Sequence, residues 1–82
     1  MKIVYFASLR ERLGLSEEEI SLPPEARTVA DVIAFLAKRD EIYEDVFSSG
    51  IFRAALDKQH AKPETSIAGV REIAFFPPMT GG

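Results

Sequence analysis

Apolar and polar residues along the chain follow two periods, one typical of strands and one typical of a helix. Residues 2–7 are β-branched and aromatic, which predicts a first strand, and residues 18–22 alternate in polarity, which predicts a second strand before two prolines. From position 29 to about 39 the apolar residues recur at helical spacing, and Thr28 with Asp31 three positions later marks the start of that helix. The first half of the chain therefore predicts two strands and one amphipathic helix.

The second half of the chain adds strands to this pattern. Residues 51–56 and 70–76 predict two strands, residues 60–62 a weak one, and residues 41–47 one further helical turn. One main helix packed on a mixed sheet of four or five strands is an α+β arrangement in two layers. The pattern permits parallel pairing of the first and last strands, which would make the fold a β-grasp, or ubiquitin-like, roll.

A short helical segment is predicted between the first two strands. Ser8 and Glu11 have the spacing of a capping box, and Gly14 can adopt the left-handed conformation that ends a helix. Residues 17–19 are three consecutive glutamates, and a charge run of this kind predicts a solvated strand edge or loop rather than a carboxylate site.

Length and composition exclude several classes of protein. The chain has 82 residues, 46% of them hydrophobic and 28% charged, which is typical of one small folded domain and not of a disordered chain. Its net charge of −3 and its lack of a basic cluster argue against a nucleic-acid partner. The apolar run at residues 3–7 is too short for a signal peptide or a membrane span, so we expect a soluble cytoplasmic protein with no membrane partner.

The side chains of the domain offer little chemistry. The chain has no cysteine, which excludes disulfides, thiolate metal sites and a cysteine nucleophile. Its one histidine, His60, has no second histidine with which to share a metal ion, so a surface or sheet-face position is the preferred interpretation. Gly14, Gly50 and Gly69 are isolated and match no phosphate-binding loop. No catalytic constellation is therefore predicted within the body of the domain.

The last residues of the sequence differ in character from the rest. Pro77 and Pro78 cannot continue a sheet ladder and favour an extended exit from the last strand. Gly81 and Gly82 add two residues without side chains, which a narrow active-site channel could admit because no Cβ limits the approach of the backbone. A frayed terminus of small residues would have the same composition. The residues alone leave both interpretations open.

A family resemblance distinguishes between these interpretations. Residues 74–82, with the sequence AFFPPMTGG, resemble the C-terminal signature of the small, sulfur-carrier subunits of molybdopterin synthase, which are ubiquitin-like β-grasp proteins. Residues 3–11, 28–32 and 53–57 resemble the first strand, the helix start and the middle strand of that family. The resemblance therefore covers essentially the whole chain, and its most specific part is the tail.

The chain departs from the family's pattern in two places. Leu56 and Asp57 stand where valine and asparagine are common, and Val70 stands in place of an acidic residue. Neither departure lies in the tail, so they affect surface detail and leave the functional expectation unchanged.

The resemblance implies a β-grasp domain over residues 1–76 and a functional tail over residues 77–82. Gly82 would be adenylated and converted to a thiocarboxylate, which donates sulfur to a cyclic pyranopterin. The other tail residues would enter the active sites of partner enzymes: Pro77, Pro78, Met79, Thr80 and Gly81. On the open face of the sheet, the implied partner interface comprises Phe6, His60 and Phe76.

The resemblance also implies two protein partners. One is the large catalytic subunit of molybdopterin synthase, in a heterotetramer of two small and two large subunits. The other is an adenylyltransferase that resembles ubiquitin-activating enzymes and holds the ATP and magnesium. This chain is expected to be non-catalytic by itself and to bind no cofactor or metal.

Three other functions would also account for parts of this sequence pattern. A sulfur carrier for thiamine synthesis or tRNA thiolation also ends in two glycines, but the Phe-Phe-Pro-Pro segment argues against it. A ubiquitin-like modifier would share the activation step and then form isopeptide bonds with lysines. A plain interaction module would tolerate the loss of its tail.

Overall fold

The computed structural model describes residues 1–78 and contains five strands and three helices in that part of the chain. In chain order the elements are β1 (Lys2–Tyr5), α1 (Ala7–Leu13), β2 (Glu17–Glu19), α2 (Val29–Ala37), α3 (Glu41–Ser48), β3 (Arg53–Leu56), β4 (Gln59–Ala61) and β5 (Glu72–Phe76). Each predicted strand is present, with bounds that are shorter than predicted or shifted by one residue.

The five strands form one mixed sheet in the order β2-β1-β5-β3-β4. The central pair, β1 and β5, is parallel, with Ile3 opposite Ile73 and Tyr5 opposite Phe75. The other neighbouring strands pair antiparallel. A parallel pair formed by the first and last strands needs a long crossover, which here contains the helices. This topology is a β-grasp, so the predicted fold is confirmed.

Helix α2 begins where the sequence predicts because its first turn is capped in both directions. The Thr28 hydroxyl accepts a hydrogen bond from the backbone N–H of Asp31, and the Asp31 carboxylate accepts one from the backbone N–H of Thr28. Hydrogen bonds from the backbone N–H groups of Arg27 and Thr28 lower the pKa of Asp31 below its usual value. Val32 and Leu36 are fully buried, which confirms the predicted apolar face.

The other two helices differ from the prediction. Helix α1 begins at Ala7, with Phe6 as its N-cap and no side-chain cap, so the capping box predicted at Ser8 is wrong. Ala7 has a φ of 51°, and this turn starts the helix too early for Ser8 to occupy the cap position. The turn predicted at residues 41–47 is a complete helix, α3, that packs on α2. None of the helices in the described part of the chain is long and apolar enough to cross a membrane.

The hydrophobic core lies between the helices and one face of the sheet. At its centre are Tyr5 and Phe75, which are 1% and 0% exposed. Phe47 of α3 packs against both, with its ring centroid 6.3 Å from that of Tyr5 and 5.1 Å from that of Phe75. Burial of each such side chain stabilises the fold by roughly 1.5–3 kcal/mol. The aromatic side chains therefore tie α3 to the two central strands.

The β3–β4 connection is a tight turn through two residues with positive φ. Asp57 has φ 46° and Lys58 has φ 73°, a combination typical of a type I′ hairpin turn. The Asp57 carboxylate accepts hydrogen bonds from the backbone N–H groups of Arg71, at 3.2 Å, and Glu72, at 3.0 Å. The turn is thereby joined to the start of β5.

Replacement of Lys58 by glycine is expected to stabilise the protein. A left-handed conformation costs a residue with a Cβ roughly 1–2 kcal/mol, and glycine avoids this cost. Glycine also makes the unfolded chain more flexible, which offsets part of the gain in stability. We expect Lys58→Gly to raise the free energy of unfolding by about 0.5–1 kcal/mol, measured by urea denaturation. The matched control, Gln59→Gly within β4, should lower it. A loss of stability in Lys58→Gly would contradict the role assigned to the turn.

Candidate functional site

The face of the sheet opposite the helices carries an apolar surface, which we name the open-face patch. Alternation along β1 directs Ile3 and Tyr5 into the core, so that Val4 and Phe6 lie on the opposite face. Phe6 is 48% exposed, although it is a large aromatic residue. The open-face patch consists of Val4, Phe6, Ala55, Ala74 and Phe76.

Two alanines form the floor of the open-face patch. Ala55 and Ala74 lie directly opposite each other on β3 and β5. Each is only 7% exposed, and neither belongs to the core cluster on the helix side of the sheet. Larger side chains on the same face must therefore cover them. The surface at Ala55 and Ala74 is thus recessed between the rings of Phe6 and Phe76.

His60 lies at the side of this patch. It is opposite Ala55 on the edge strand β4, and its ring meets the ring of Phe76 edge to face at a centroid distance of 5.4 Å. The structure thus places the three residues predicted for a partner interface, Phe6, His60 and Phe76, on one face of the sheet. That this face binds a partner stays a prediction.

Charged residues lie at both ends of the open-face patch. At one end the Lys2 ammonium is 3.5 Å from the Glu17 carboxylate and 3.9 Å from that of Glu72. At the other end Arg53 lies opposite Phe76, is exposed, and forms no ion pair within residues 1–78. Arg53 was not among the residues predicted from the sequence. Strand alternation could have indicated it, because Arg53 lies two positions before Ala55 and therefore on the same face of the sheet.

The predicted tail begins at the end of β5, beside this patch. Pro77 and Pro78 are half-buried and follow the strand directly. Met79, Thr80, Gly81 and Gly82 lie outside the described residues. The proposed roles of the tail residues, and the division of the chain at residue 76, therefore stay predictions.

Residues 1–78 contain no group of three or more His, Cys, Asp or Glu side chains that could hold a metal ion. The acidic run at 17–19 is instead divided by the sheet. Glu17 and Glu19 are exposed, as predicted, but Glu18 points to the helix side of the edge strand β2 and its side chain is only 13% exposed. The prediction of a solvated run is therefore wrong for Glu18.

Glu18 accepts hydrogen bonds from three side chains that are distant in sequence. The Tyr5 hydroxyl donates at 2.7 Å, the Tyr43 hydroxyl at 2.8 Å and the Arg39 guanidinium at 2.5 Å. Arg39 also lies over the ring of Tyr43, 5.0 Å from its centroid. This group, which we name the Glu18 cluster, joins β1 and β2 to the α2–α3 connection and to α3.

Charges in the Glu18 cluster are held in fixed states near neutral pH. Burial raises the pKa of Glu18, but the hydrogen bonds from Tyr5, Tyr43 and Arg39 lower it by more, so that it lies below its usual value. Burial and the adjacent carboxylate raise the pKa of Tyr43 to about 12 and raise that of Tyr5 still further. A carboxylate and two neutral phenols paired in this way stabilise the fold and are not poised for acid–base catalysis.

Comparison with known proteins identifies the family of this chain. Its sequence matches the ThiS family over residues 3–82, which is nearly its entire length. The chain belongs to the ThiS family. Among the relatives of this ThiS-family chain, the molybdopterin synthase sulfur carrier subunit of Haemophilus influenzae is 29% identical over 82 residues, 100% of this chain and 99% of that protein. The subunit of the same name from Escherichia coli is 27% identical with the same coverage.

Solved structures agree with this assignment. A Pyrococcus furiosus protein provisionally assigned as molybdopterin converting factor, subunit 1, superposes on the ThiS-family chain with a TM-score of 0.73, at 27% identity and with 95% of each chain covered. SAMP1 from Haloferax volcanii superposes with a TM-score of 0.74 over 99% of this chain and 97% of its own, and at 22% identity it supports the fold alone. The family resemblance inferred from residues 74–82 is thus confirmed.

Proposed function

We propose that this ThiS-family chain is the sulfur-carrier subunit of a molybdopterin synthase and is not an enzyme by itself. The observation that carries the proposal is the match over residues 3–82, which includes the whole tail, together with full-length relatives that bear this name. The described domain is consistent with a carrier. The Glu18 carboxylate accepts hydrogen bonds from three side chains of the Glu18 cluster and so has a structural role instead of a catalytic one.

Activation of Gly82 is the first step of the proposed function. A carboxylate is a poor electrophile, so an adenylyltransferase partner would use ATP, with magnesium, to form an acyl-adenylate at Gly82 and release pyrophosphate. Sulfur at the oxidation level of sulfide would then attack the acyl carbon and release AMP, which leaves a thiocarboxylate. Because the chain has no cysteine, the sulfur has no thiol of this protein on which to reside.

Transfer of sulfur is the second step. The large subunit would admit the tail. The thiocarboxylate sulfur would then form a bond to a carbon of a cyclic pyranopterin while the bond from that carbon to an oxygen substituent breaks, and the oxygen leaves as water or phosphate. Water would then cleave the bond between that sulfur and the Gly82 carbonyl carbon, which restores the carboxylate. Two such transfers would supply the two sulfur atoms of the dithiolene that later binds molybdenum or tungsten.

The open-face patch supports docking of the large subunit in this proposal. An exposed ring such as Phe6, beside the half-buried Phe76, is a feature of protein interfaces more than of isolated surfaces. Both rings lie next to the point where Pro77 leaves the sheet. A partner that covers the patch would therefore be placed to receive the tail.

Two adjacent phenylalanines provide a matched test of this interface. Phe76→Ala is expected to raise the Kd for the large subunit about 30-fold, as for a central interface residue, with little change in thermal stability. Phe75→Ala, on the core side, is expected to lower the free energy of unfolding by about 3–5 kcal/mol. Isothermal titration and urea denaturation measure the two effects. Wild-type affinity in folded Phe76→Ala would show that the patch is not the interface.

The proposed function is tested by intact-mass analysis in a purified system. The chain would be incubated with the adenylyltransferase, ATP, magnesium and a sulfide donor, and the expected product is heavier by one oxygen-for-sulfur exchange. Addition of the large subunit and a cyclic pyranopterin should reverse the mass change and form molybdopterin. Conjugation to lysines with no molybdopterin would indicate a protein modifier instead, and sulfur transfer only to a thiazole or tRNA substrate would indicate another pathway.

A further inference from the structure

A cleft of about 290 Å³ opens where the tail leaves the domain, between α1 and the segment that leads into β3. We name it the tail-root cleft. Its volume is at the lower limit of small-molecule pockets, which span roughly 300–1,000 Å³, so it suits one or two side chains better than a cofactor. The residues around it are Ser8, Leu9, Arg12, Val46, Ser49, Ile51 and Pro77.

Two polar side chains at the rim of the tail-root cleft, those of Ser49 and Arg12, already have partners. The Ser49 hydroxyl donates to the Val46 carbonyl at 2.8 Å and accepts from the backbone N–H of Ile51 at 3.2 Å. The Arg12 guanidinium is paired with the Asp45 carboxylate. These groups therefore gain little from a polar ligand, and the surface that gains from being covered is apolar.

Ile51 is the most exposed large hydrophobic residue of the described chain, at 69%. Together with Pro77 it forms an apolar wall of the cleft. A single exposed isoleucine on a free surface needs no explanation, but this one lies at the base of the tail on which the proposed function depends.

The length of the tail determines which protein can cover this cleft. Gly82 lies four residues beyond Pro78, so the two are separated by at most roughly 14 Å even in a fully extended chain. Any active site that receives Gly82 must therefore have its entrance close to Pro77 and Pro78. The surface around that entrance then faces the tail-root cleft.

We propose that the tail-root cleft is a docking site for an aliphatic or aromatic side chain of the large synthase subunit, which inserts against Ile51. This inference rests on the proposed function. The large subunit is favoured over the adenylyltransferase because the relatives are named as subunits of the synthase. The buried centre of a protein interface is more apolar than the rest of the surface, which suits an exposed isoleucine.

Two exposed isoleucines provide the test. Ile51→Glu should raise the Kd of the carrier for the large subunit about tenfold or more, and should raise the KM for the thiocarboxylated carrier in molybdopterin formation. Ile42→Glu is the matched control, because Ile42 is 53% exposed and lies beside Arg12 without lining the cleft. It should bind and react as the wild type does. Ile51→Leu, which keeps an aliphatic side chain in the cleft, should bind the large subunit with a Kd close to that of the wild type. Circular dichroism should show that all variants are folded.

Each other outcome has a distinct meaning. If the wild type transfers sulfur and Ile51→Glu binds and reacts equally well, the docking site is wrong while the proposed function stands. Equal losses of affinity in Ile51→Glu and Ile42→Glu would indicate a general effect of negative charge and would also overturn the proposed docking site. A loss confined to thiocarboxylate formation would assign the cleft to the adenylyltransferase instead. Failure of the wild type itself to form or transfer a thiocarboxylate would overturn both proposals.

Discussion

Deletion of Gly82 is expected to abolish thiocarboxylate formation and molybdopterin synthesis while leaving the thermal unfolding transition unchanged. The proposed reaction occurs at the carboxylate of this residue, and a shortened tail would place the reacting carbon roughly 3.3–3.6 Å away from its position in each partner's active site. A misplacement of about 1 Å can already cost roughly a hundredfold in rate. Glycine has no side chain to bury, so its removal should cost the fold almost nothing.

Addition of one residue after Gly82 should have the same effect, because the acyl group to be activated would move by the same distance. The matched control adds one residue before Met1. Since β1 and β5 run parallel, Met1 and the end of β5 lie at opposite ends of the sheet, and this control should still form molybdopterin. Intact-mass analysis, a molybdopterin assay and circular dichroism together measure the outcome. Sulfur transfer by the variant that lacks Gly82 would refute the assignment of the reacting carboxylate to this residue.

Loss of the Glu18 carboxylate is expected to have the second largest effect, this time on stability. Glu18→Ala removes the acceptor of three hydrogen bonds and leaves the Tyr5 and Tyr43 hydroxyls without it. We expect the free energy of unfolding to fall by about 3 kcal/mol. Each kcal/mol corresponds to a Tm decrease of about 4–8 °C in a domain of this size. Glu17→Gln, at the exposed neighbouring position, should change stability by less than about 0.5 kcal/mol.

The stabilisation by Glu18 should depend on pH in a defined direction. The pKa of Glu18 is lower in the folded protein than its usual value, so folding favours the ionised carboxylate. This contribution is complete above the pKa of an unfolded glutamate, about 4.3, and is lost as the pH falls through the lower folded value. The difference in unfolding free energy between the wild type and Glu18→Gln should therefore be larger at pH 7 than at low pH. An equal difference at both would contradict this assignment.

Features that depend on neighbouring residues could be predicted from the sequence. The start of α2 is one example, since Thr28 and Asp31 are three positions apart and cap the helix through their own backbone N–H groups. The end of α1 at Gly14 is another, because only the conformation of that residue is involved. The tail was also recognisable, since its character depends on two prolines and two glycines and on no distant contact.

Features that depend on contacts between distant residues were decided by the tertiary structure. Glu18 looked like part of a solvated charge run, but the pairing of β2 with β1 turns it toward Tyr5 and Tyr43, which are 13 and 25 positions away. Ser8 had the spacing of a cap, but the turn at Ala7 starts the helix one residue before it. The tail-root cleft exists only because α1 and the residues before β3 meet at the end of β5. Local periodicity determines the elements, whereas strand register and helix packing determine which side chains meet, because those depend on burial summed over the whole chain.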